Sequence, residues 1–252
     1  MNKVALITGG QQGIGLGIAR ELVTAGHKVA LASLPDSDEP QVLAALRELG
    51  DAAFYVRHDL QDIDNVAAIL DRVEAQFGPI TTLVSNAGVP AKVRGDMLSL
   101  TPDSFDFVLG VNLRGAFFLA QEVVRRMLAI SSDTYRSIVF VTSVSASMAS
   151  IERAEYCISK AAAGMMAELF ALRLAPHGIG VFDLRPGIIE TEMTAGVKDK
   201  YTARIEGGLV PAQRWGQPAD VANVVVPLVE GRFAFANGAV IPVDGGLSLA
   251  RL

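Results

Sequence analysis

Cysteine is almost absent from this 252-residue chain, with Cys157 standing alone. That excludes an intrachain disulfide, leaves no Cys pair for a zinc knuckle and suits a reducing compartment, so a cytoplasmic location is expected. Histidine is nearly as scarce. His27, His58 and His177 are scattered without metal-ligand spacing, and no metal site is expected. Basic residues do not cluster either: the longest Lys/Arg run is the pair Arg125-Arg126, and 22 basic against 27 acidic residues leave a net charge of −5. An acidic balance works against attraction to phosphate backbones, so nucleic acid is not an expected partner. Long apolar runs are missing too. The charge-free stretch from Val4 to Ala19 covers 16 residues and is interrupted by five glycines, whereas a membrane span needs about 20 mostly apolar residues. Only four apolar residues separate Lys3 from the glycine series, too few for a secretory signal.

What the chain does have is apolar residues, 50% of the total, and 24 glycines. A chain of this length buries roughly 70–75% of its unfolded surface. Short apolar runs read as strands at Val4 to Ile7, Lys28 to Ser33, Ala53 to Val56, Thr82 to Ser85, Ser137 to Ser143, Gly180 to Leu184 and Ala239 to Val243. Several are continuous and rich in β-branched residues, which suits strands buried on both faces of a parallel sheet. Amphipathic stretches between them read as helices: Gly15 to Ala25, Gln41 to Leu49, Ile63 to Phe77, Pro102 to Leu128, Glu155 to Ala175 and Asp220 to Val229. Regular alternation predicts βαβ crossovers and an α/β, doubly wound parallel sheet of about seven strands with helices on both faces. No linker divides residues 1–252, so one domain is expected, with Glu190 to Trp215 as its largest insertion and a mobile lid. The mean hydropathy of +0.35 is then accounted for by buried strands and subunit contacts.

The first strand runs directly into Thr8-Gly9-Gly10-Gln11-Gln12-Gly13-Ile14-Gly15, followed at once by a helical pattern. Glycines there let the backbone turn tightly and approach a ligand, while the helix start offers unpaired N–H groups to a pyrophosphate. No Gly-Lys-Ser/Thr follows, which excludes a Walker A loop. Farther along, Tyr156 and Lys160 lie four residues apart in a helical segment, hence about 40° apart on one face. An ammonium near a phenol favours the phenolate form, useful in a general acid/base. Ser143 precedes Tyr156 by 13 residues and ends the fifth strand, where ligands meet open α/β sheets.

With its Thr-Gly-x-x-x-Gly-x-Gly turn and its Ser143, Tyr156 and Lys160, the chain resembles the short-chain dehydrogenase/reductase family in its single-domain form, a Rossmann fold. The resemblance extends to Gly246. It implies a cofactor site of Thr8, Gly9, Gln12, Gly13, Ile14 and Gly15, with Ser33 at the end of the second strand and Asp59-Leu60 at the adenine. Ser85-Asn86-Ala87-Gly88 looks like the family's Asn-Asn-Ala-Gly with Ser85 in the first place, and Asn86, Ala87 and Gly88 are carried over. In the segment after the sixth strand, Pro186 and Gly187 precede Ile189 and Thr191, which would grip the nicotinamide carboxamide.

The same resemblance implies catalytic roles. Tyr156 would exchange a proton with the carbonyl or alcohol oxygen, Ser143 would hydrogen-bond that oxygen, and Lys160 would assist Tyr156 and hold the nicotinamide ribose. Asn112 would complete a water-linked proton relay. NAD(H) or NADP(H) is implied as cofactor. The second strand ends Ala32-Ser33-Leu34-Pro35-Asp36, with neither the carboxylate typical of NAD sites nor the Arg that meets a 2′-phosphate. No cation stands at Gln11, Gln12 or Leu34, and the balance tips to NAD.

Met148, Met193 and Trp215 are expected as apolar wall around a small-molecule substrate, with Glu152 or Arg153 binding a hydroxyl or carboxylate. The reading is an oxidoreductase moving hydride between nicotinamide and a carbonyl/secondary alcohol pair, either a polar hydroxylated compound or a 3-ketoacyl thioester. The alternative is a non-catalytic nucleotide sensor or scaffold on the same fold. The apolar loads of Phe105 to Met127 and Ala161 to Ala167, together with the resemblance, imply a homo-oligomer, a dimer or tetramer.

Overall fold

The computed structural model describes residues 2–131 and 133–251. Seven strands form one sheet: β1 (Val4–Thr8), β2 (Lys28–Ser33), β3 (Ala53–Arg57), β4 (Thr82–Ser85), β5 (Arg136–Val141), β6 (Ile179–Pro186) and β7 (Val240–Val243). Every pairing is parallel and the order is β3-β2-β1-β4-β5-β6-β7. The order reverses direction between β1 and β4, which opens a crevice at their carboxyl ends.

Nine α-helices cover the sheet: α1 (Gly13–Thr24), α2 (Pro40–Leu49), α3 (Val66–Phe77), α4 (Pro102–Leu109), α5 (Ala116–Ala129), α6 (Ala154–Leu174), α7 (Glu192–Ala195), α8 (Lys198–Glu206) and α9 (Pro218–Val229) among the described residues. Because side chains alternate along a strand, Val4, Leu6, Ile138 and Phe140 point to one core with α3, α5 and α6. Ala5, Ile7, Val139 and Val141 point to the other with α1, α2 and α9. Gly17 is obligatory there, since a Cβ would stand 2.8 Å from Pro218 Cβ where α1 crosses α9.

Three expectations are revised. The single helix expected over Pro102 to Leu128 is interrupted by a π-helical turn, Gly110–Gly115. Gly115 explains the close passage beneath it, for a Cβ there would meet the Leu60 carbonyl oxygen at 2.0 Å. The combined run Pro102–Ala129 is long and apolar enough, by length and composition, to cross a bilayer, although no span was expected. Here its Leu119, Ala120, Val123 and Met127 are fully buried in the sheet core. The fifth strand ends at Val141, so Thr142 and Ser143 leave the sheet and Ser143 caps the turn Val144–Ala146.

The segment expected as a lid carries α7, α8 and several ties. Glu190 pairs with Lys198 and accepts from Gln217 Nε2 at 3.0 Å, and Trp215 Nε1 donates to Thr202 Oγ1 at 3.0 Å. The Lys198 ammonium is the main cause of the lowered Glu190 carboxyl pKa.

Candidate active site

The turn after β1 has the form its glycines require. Gly9 (φ +65°) and Gly13 (φ +52°) occupy the left-handed region that side chains avoid. A Cβ on Gly15 would stand 2.2 Å from the Gly9 carbonyl oxygen, so α1 starts as close to the turn as backbone permits. Thr8 locks the turn to the next strand: its Oγ1 accepts from the Asn86 and Ala87 amides, both at 2.9 Å, while Asn86 Nδ2 donates to the Thr8 carbonyl at 2.9 Å. Three backbone groups, the Asn86 and Ala87 amides and the Thr8 carbonyl, are thereby hydrogen-bonded at the crevice floor.

From this turn a cavity of about 710 Å³ extends across the carboxyl ends of the strands, within the size range of small-molecule sites. Gly9, Gln12, Gly13 and Ile14 line one end, followed by Ser33, Asp59 and Leu60, then Asn86, Ala87 and Gly88. Ser143, Tyr156, Lys160, Pro186, Gly187 and Ile189 line the rest of it, and Thr191 stands beside Gly13, 3.4 Å from where a Cβ on that glycine would lie. At the first end Ser33 Oγ is engaged with Tyr55 Oη at 3.0 Å, and burial raises the Tyr55 pKa. His58, beside Asp59, is buried with neither ring nitrogen hydrogen-bonded among the described residues, and burial lowers its pKa. Arg57, at the end of β3, forms an ion pair with Asp36 at 2.9 Å.

At the second end α6 places Tyr156 and Lys160 together, with Lys160 Nζ 5.8 Å from the Tyr156 ring centroid. Lys160 Nζ donates to the Val141 carbonyl at 3.2 Å, which leaves two N–H bonds for other partners. Ser143 Oγ accepts from the Ser145 amide at 3.0 Å, so its own hydroxyl proton remains available to a ligand oxygen. Behind α6, Asp183 is held by Thr142 Oγ1 and by Arg185 Nε at 2.8 Å. Gly164 gives this buried pair room, since a Cβ would lie 3.1 Å from an Arg185 nitrogen.

Three residues expected in the site lie behind its wall. Thr8 and Gly15 shape the turn from beneath, and Asn112 sits in the π-helical turn, 3% exposed and off the cavity surface. Asn112 Nδ2 donates to the Val89 carbonyl at 3.0 Å and to Ser159 Oγ at 3.1 Å, and its Oδ1 accepts from the Val89 amide at 2.8 Å. Its committed hydrogen bonds tie the loop after β4 to α6. Gly88 belongs to the same arrangement, for a Cβ there would meet Asn112 Oδ1 at 3.1 Å and Lys160 Nζ at 3.4 Å. Helix-interior π turns recur at functional sites, but nothing in the spacing of Gly110 to Gly115 announces one.

Of the residues expected as substrate wall, Met148, Met193 and Arg153 line the cavity while Trp215 and Glu152 do not. The Trp215 ring packs against Tyr201 at 6.4 Å instead. Residues missed in the sequence include Gln41 and His58 at one end and Arg94, Phe107 and Arg204 at the other. They come from separate elements, and no local motif marks them.

A nicotinamide dinucleotide fits this cavity. Gln12, Gly13 and Ile14 at the N-terminus of α1 line it, the left-handed Gly9 and Gly13 keep the turn free of side chains, and the same cavity reaches Tyr156 and Lys160. The family model described as enoyl-(acyl carrier protein) reductase matches residues 9–248. The chain is 36% identical to the 3-oxoacyl-(acyl-carrier-protein) reductase MabA of Mycobacterium tuberculosis, over 99% of this chain and 94% of that one. It is 31% identical to a cis-4-hydroxycyclohexanecarboxylate dehydrogenase of Sinomonas cyclohexanicum, over 97% and 96%. The crystal structure of a 3-oxoacyl-(acyl-carrier-protein) reductase from Brucella melitensis in complex with NAD superposes with a TM-score of 0.95 at 48% identity, covering 100% of this chain and 99% of that one. Turn, sheet order, cavity and relatives agree that the chain belongs to the short-chain dehydrogenase/reductase family of nicotinamide-dependent oxidoreductases.

Proposed function

We propose that Tyr156 is the general acid/base of a ketone/secondary-alcohol interconversion, assisted by Ser143 and Lys160. The observation that carries this reading is their convergence on one end of the cavity that starts at the glycine turn. A bound nicotinamide supplies or accepts the hydride. The phenol of Tyr156 gives a proton to the substrate oxygen in reduction and takes one from the alcohol in oxidation. Ser143 Oγ, already accepting from Ser145, donates to the same oxygen and holds it in place. Lys160, fixed by the Val141 carbonyl, presents its remaining N–H bonds to the ribose and its charge to the phenol. Asn112 acts as a positioning residue for the Gly88-Val89 loop. Gly9, Gln12, Gly13 and Ile14 hold the pyrophosphate end, Ser33, Asp59 and Leu60 the adenosine, and Ile189 and Thr191 the carboxamide.

NAD(H) is the preferred cofactor in this reading. A 2′-phosphate at the end of β2 needs a free cation, and Arg57 is committed to Asp36. The Brucella relative was crystallised with NAD. A preference of tenfold or more for NADP in kcat/KM would overturn this assignment.

Residues 1–252 act as one cytoplasmic domain, with 190–215 closing over the substrate. They assemble as a homo-oligomer, a dimer or tetramer, for α6 exposes Ile158, Met165, Leu169 and Leu172 along one stripe and α5 adds Phe118. The Mycobacterium and Brucella relatives are named for 3-oxoacyl thioesters and the Sinomonas relative for a hydroxycyclohexane carboxylate. Both classes present a carbonyl or secondary alcohol to such a site. A substrate screen followed at the nicotinamide absorbance with both cofactors tests the reading: turnover of at least one alcohol or ketone is expected, and none across both classes would contradict it.

A further inference from the structure

Three guanidinium groups line the substrate end of the cavity: Arg94 in the loop before α4, Arg153 in the turn before α6, and Arg204 on α8. None of them has a carboxylate partner among the described residues. Arg153 is half-buried, its guanidinium carbon 5.5 Å from the Tyr156 ring centroid. Arg204 lies 5.8 Å from the ring of Tyr201, which lines the same cavity. A guanidinium on an aromatic face keeps its planar N–H edge for a second partner, and that edge matches a carboxylate with two parallel hydrogen bonds.

The negative charges nearby do not cancel this cluster. Glu192 is the one carboxylate on the wall at this end, Glu190 is taken by Lys198 and Gln217, and Asp59 lies at the adenosine end. With Lys160, four cations face one anion across the space that receives the substrate. A partly enclosed pocket with such an excess attracts an anionic ligand and disfavours a neutral one of the same shape.

We infer that the physiological substrate is a small hydroxy or keto acid, whose free carboxylate is bound by Arg153 with support from Arg94 and Arg204. The inference rests on the reading of Tyr156 as acid/base, because Arg153 lies against that ring and so sets the anion a few bonds from the reacting carbon. This distance separates a free carboxylate from the phosphate of a phosphopantetheine thioester, which lies a whole pantetheine arm away from its carbonyl. Arg153 is a specificity residue in this account, and it takes no part in proton or hydride transfer.

The test uses acid and ester forms of the same alcohols. Initial rates with NAD are measured for cis-4-hydroxycyclohexanecarboxylate and 3-hydroxybutyrate, for their methyl esters, and with NADH for 3-oxobutanoyl-coenzyme A. The wild-type protein is expected to favour an acid over its ester by at least tenfold in kcat/KM. Arg153→Gln should reduce that acid-to-ester ratio by tenfold or more, chiefly through KM, and Arg153→Lys should restore part of it. Equal rates for acid and ester, an unmoved ratio in Arg153→Gln, or preference for the thioester would each overturn the inference while leaving the acid/base reading intact. If no compound turns over, titration of the same acids into the NADH complex, followed by nicotinamide fluorescence, decides the matter. Arg153-dependent binding would uphold the anion site and count against the acid/base reading, whereas absent binding would overturn the anion site.

Discussion

Replacing Asn112 by Ala removes three hydrogen bonds at once: to the Val89 carbonyl, to the Val89 amide and to Ser159 Oγ. At 3% exposure no water replaces the amide without entering the core, so two backbone groups of Val89 are left poorly paired. At about 1 kcal/mol for each hydrogen bond, and more where a buried partner is orphaned, the expected loss is about 2–4 kcal/mol. For a chain of this size that is a fall of roughly 5–15 °C in Tm. Val89 follows Gly88, and Gly88 packs against Lys160 Nζ. The loosened loop should therefore also lower kcat/KM by about 10- to 100-fold, equivalent to roughly 1.4–2.7 kcal/mol. Asn112→Asp keeps the volume and the acceptor for the Val89 amide but presents an acceptor to the Val89 carbonyl, so it should not rescue either property. Calorimetry and initial rates on the same preparations check both numbers. An unchanged Tm alongside lost activity would refute the positioning role and assign Asn112 a direct chemical one.

Other consequences are open to simple measurements. Burial holds His27 at a pKa of about 4, so between pH 6.5 and 4 the unfolded chain binds a proton that the folded one refuses. Stability should fall by about 2–3 kcal/mol from pH 7 to pH 4.5, a urea-midpoint shift that His27→Leu should flatten. Asp36→Ser releases Arg57 from its ion pair and should raise kcat/KM for NADP by about tenfold, the scale of a single charge-assisted contact; an unchanged NAD-to-NADP ratio would show that Arg57 does not reach the ribose. Leu169→Glu, in the exposed stripe of α6, should shift light scattering from an oligomer to a monomer at micromolar concentration; a wild-type monomer would remove the oligomer from the account.

Strand positions and the nucleotide turn were legible because each is written locally. β-branched runs mark buried parallel strands, and Gly9, Gly13 and Gly15 serve a turn made by their own backbone. Helical spacing put Tyr156 and Lys160 on one face, but their roles came from the family resemblance. The π-helical turn was not legible: its one tight contact, Gly115 against the Leu60 carbonyl, is made with a residue more than fifty positions away. Arg153 was named from its place just before Tyr156, but Arg94 and Arg204 were not, because they reach the same cavity only after the loop following β4 and α8 are placed around one crevice. Trp215 misled in the opposite sense, since its position in the segment suggested a substrate wall while its ring packs on Tyr201 and its Nε1 bonds Thr202.

In the proposed mechanism Tyr156 moves the proton while the cavity independently holds the dinucleotide. Tyr156→Phe removes one hydroxyl and no part of the glycine turn. Its turnover of any substrate found for the wild-type protein should fall by at least 100-fold, the scale of general acid/base catalysis. NADH binding, read as fluorescence enhancement, should remain within about threefold, less than the 1 kcal/mol expected for loss of a cofactor contact. Turnover within tenfold of wild type in that variant would contradict the account.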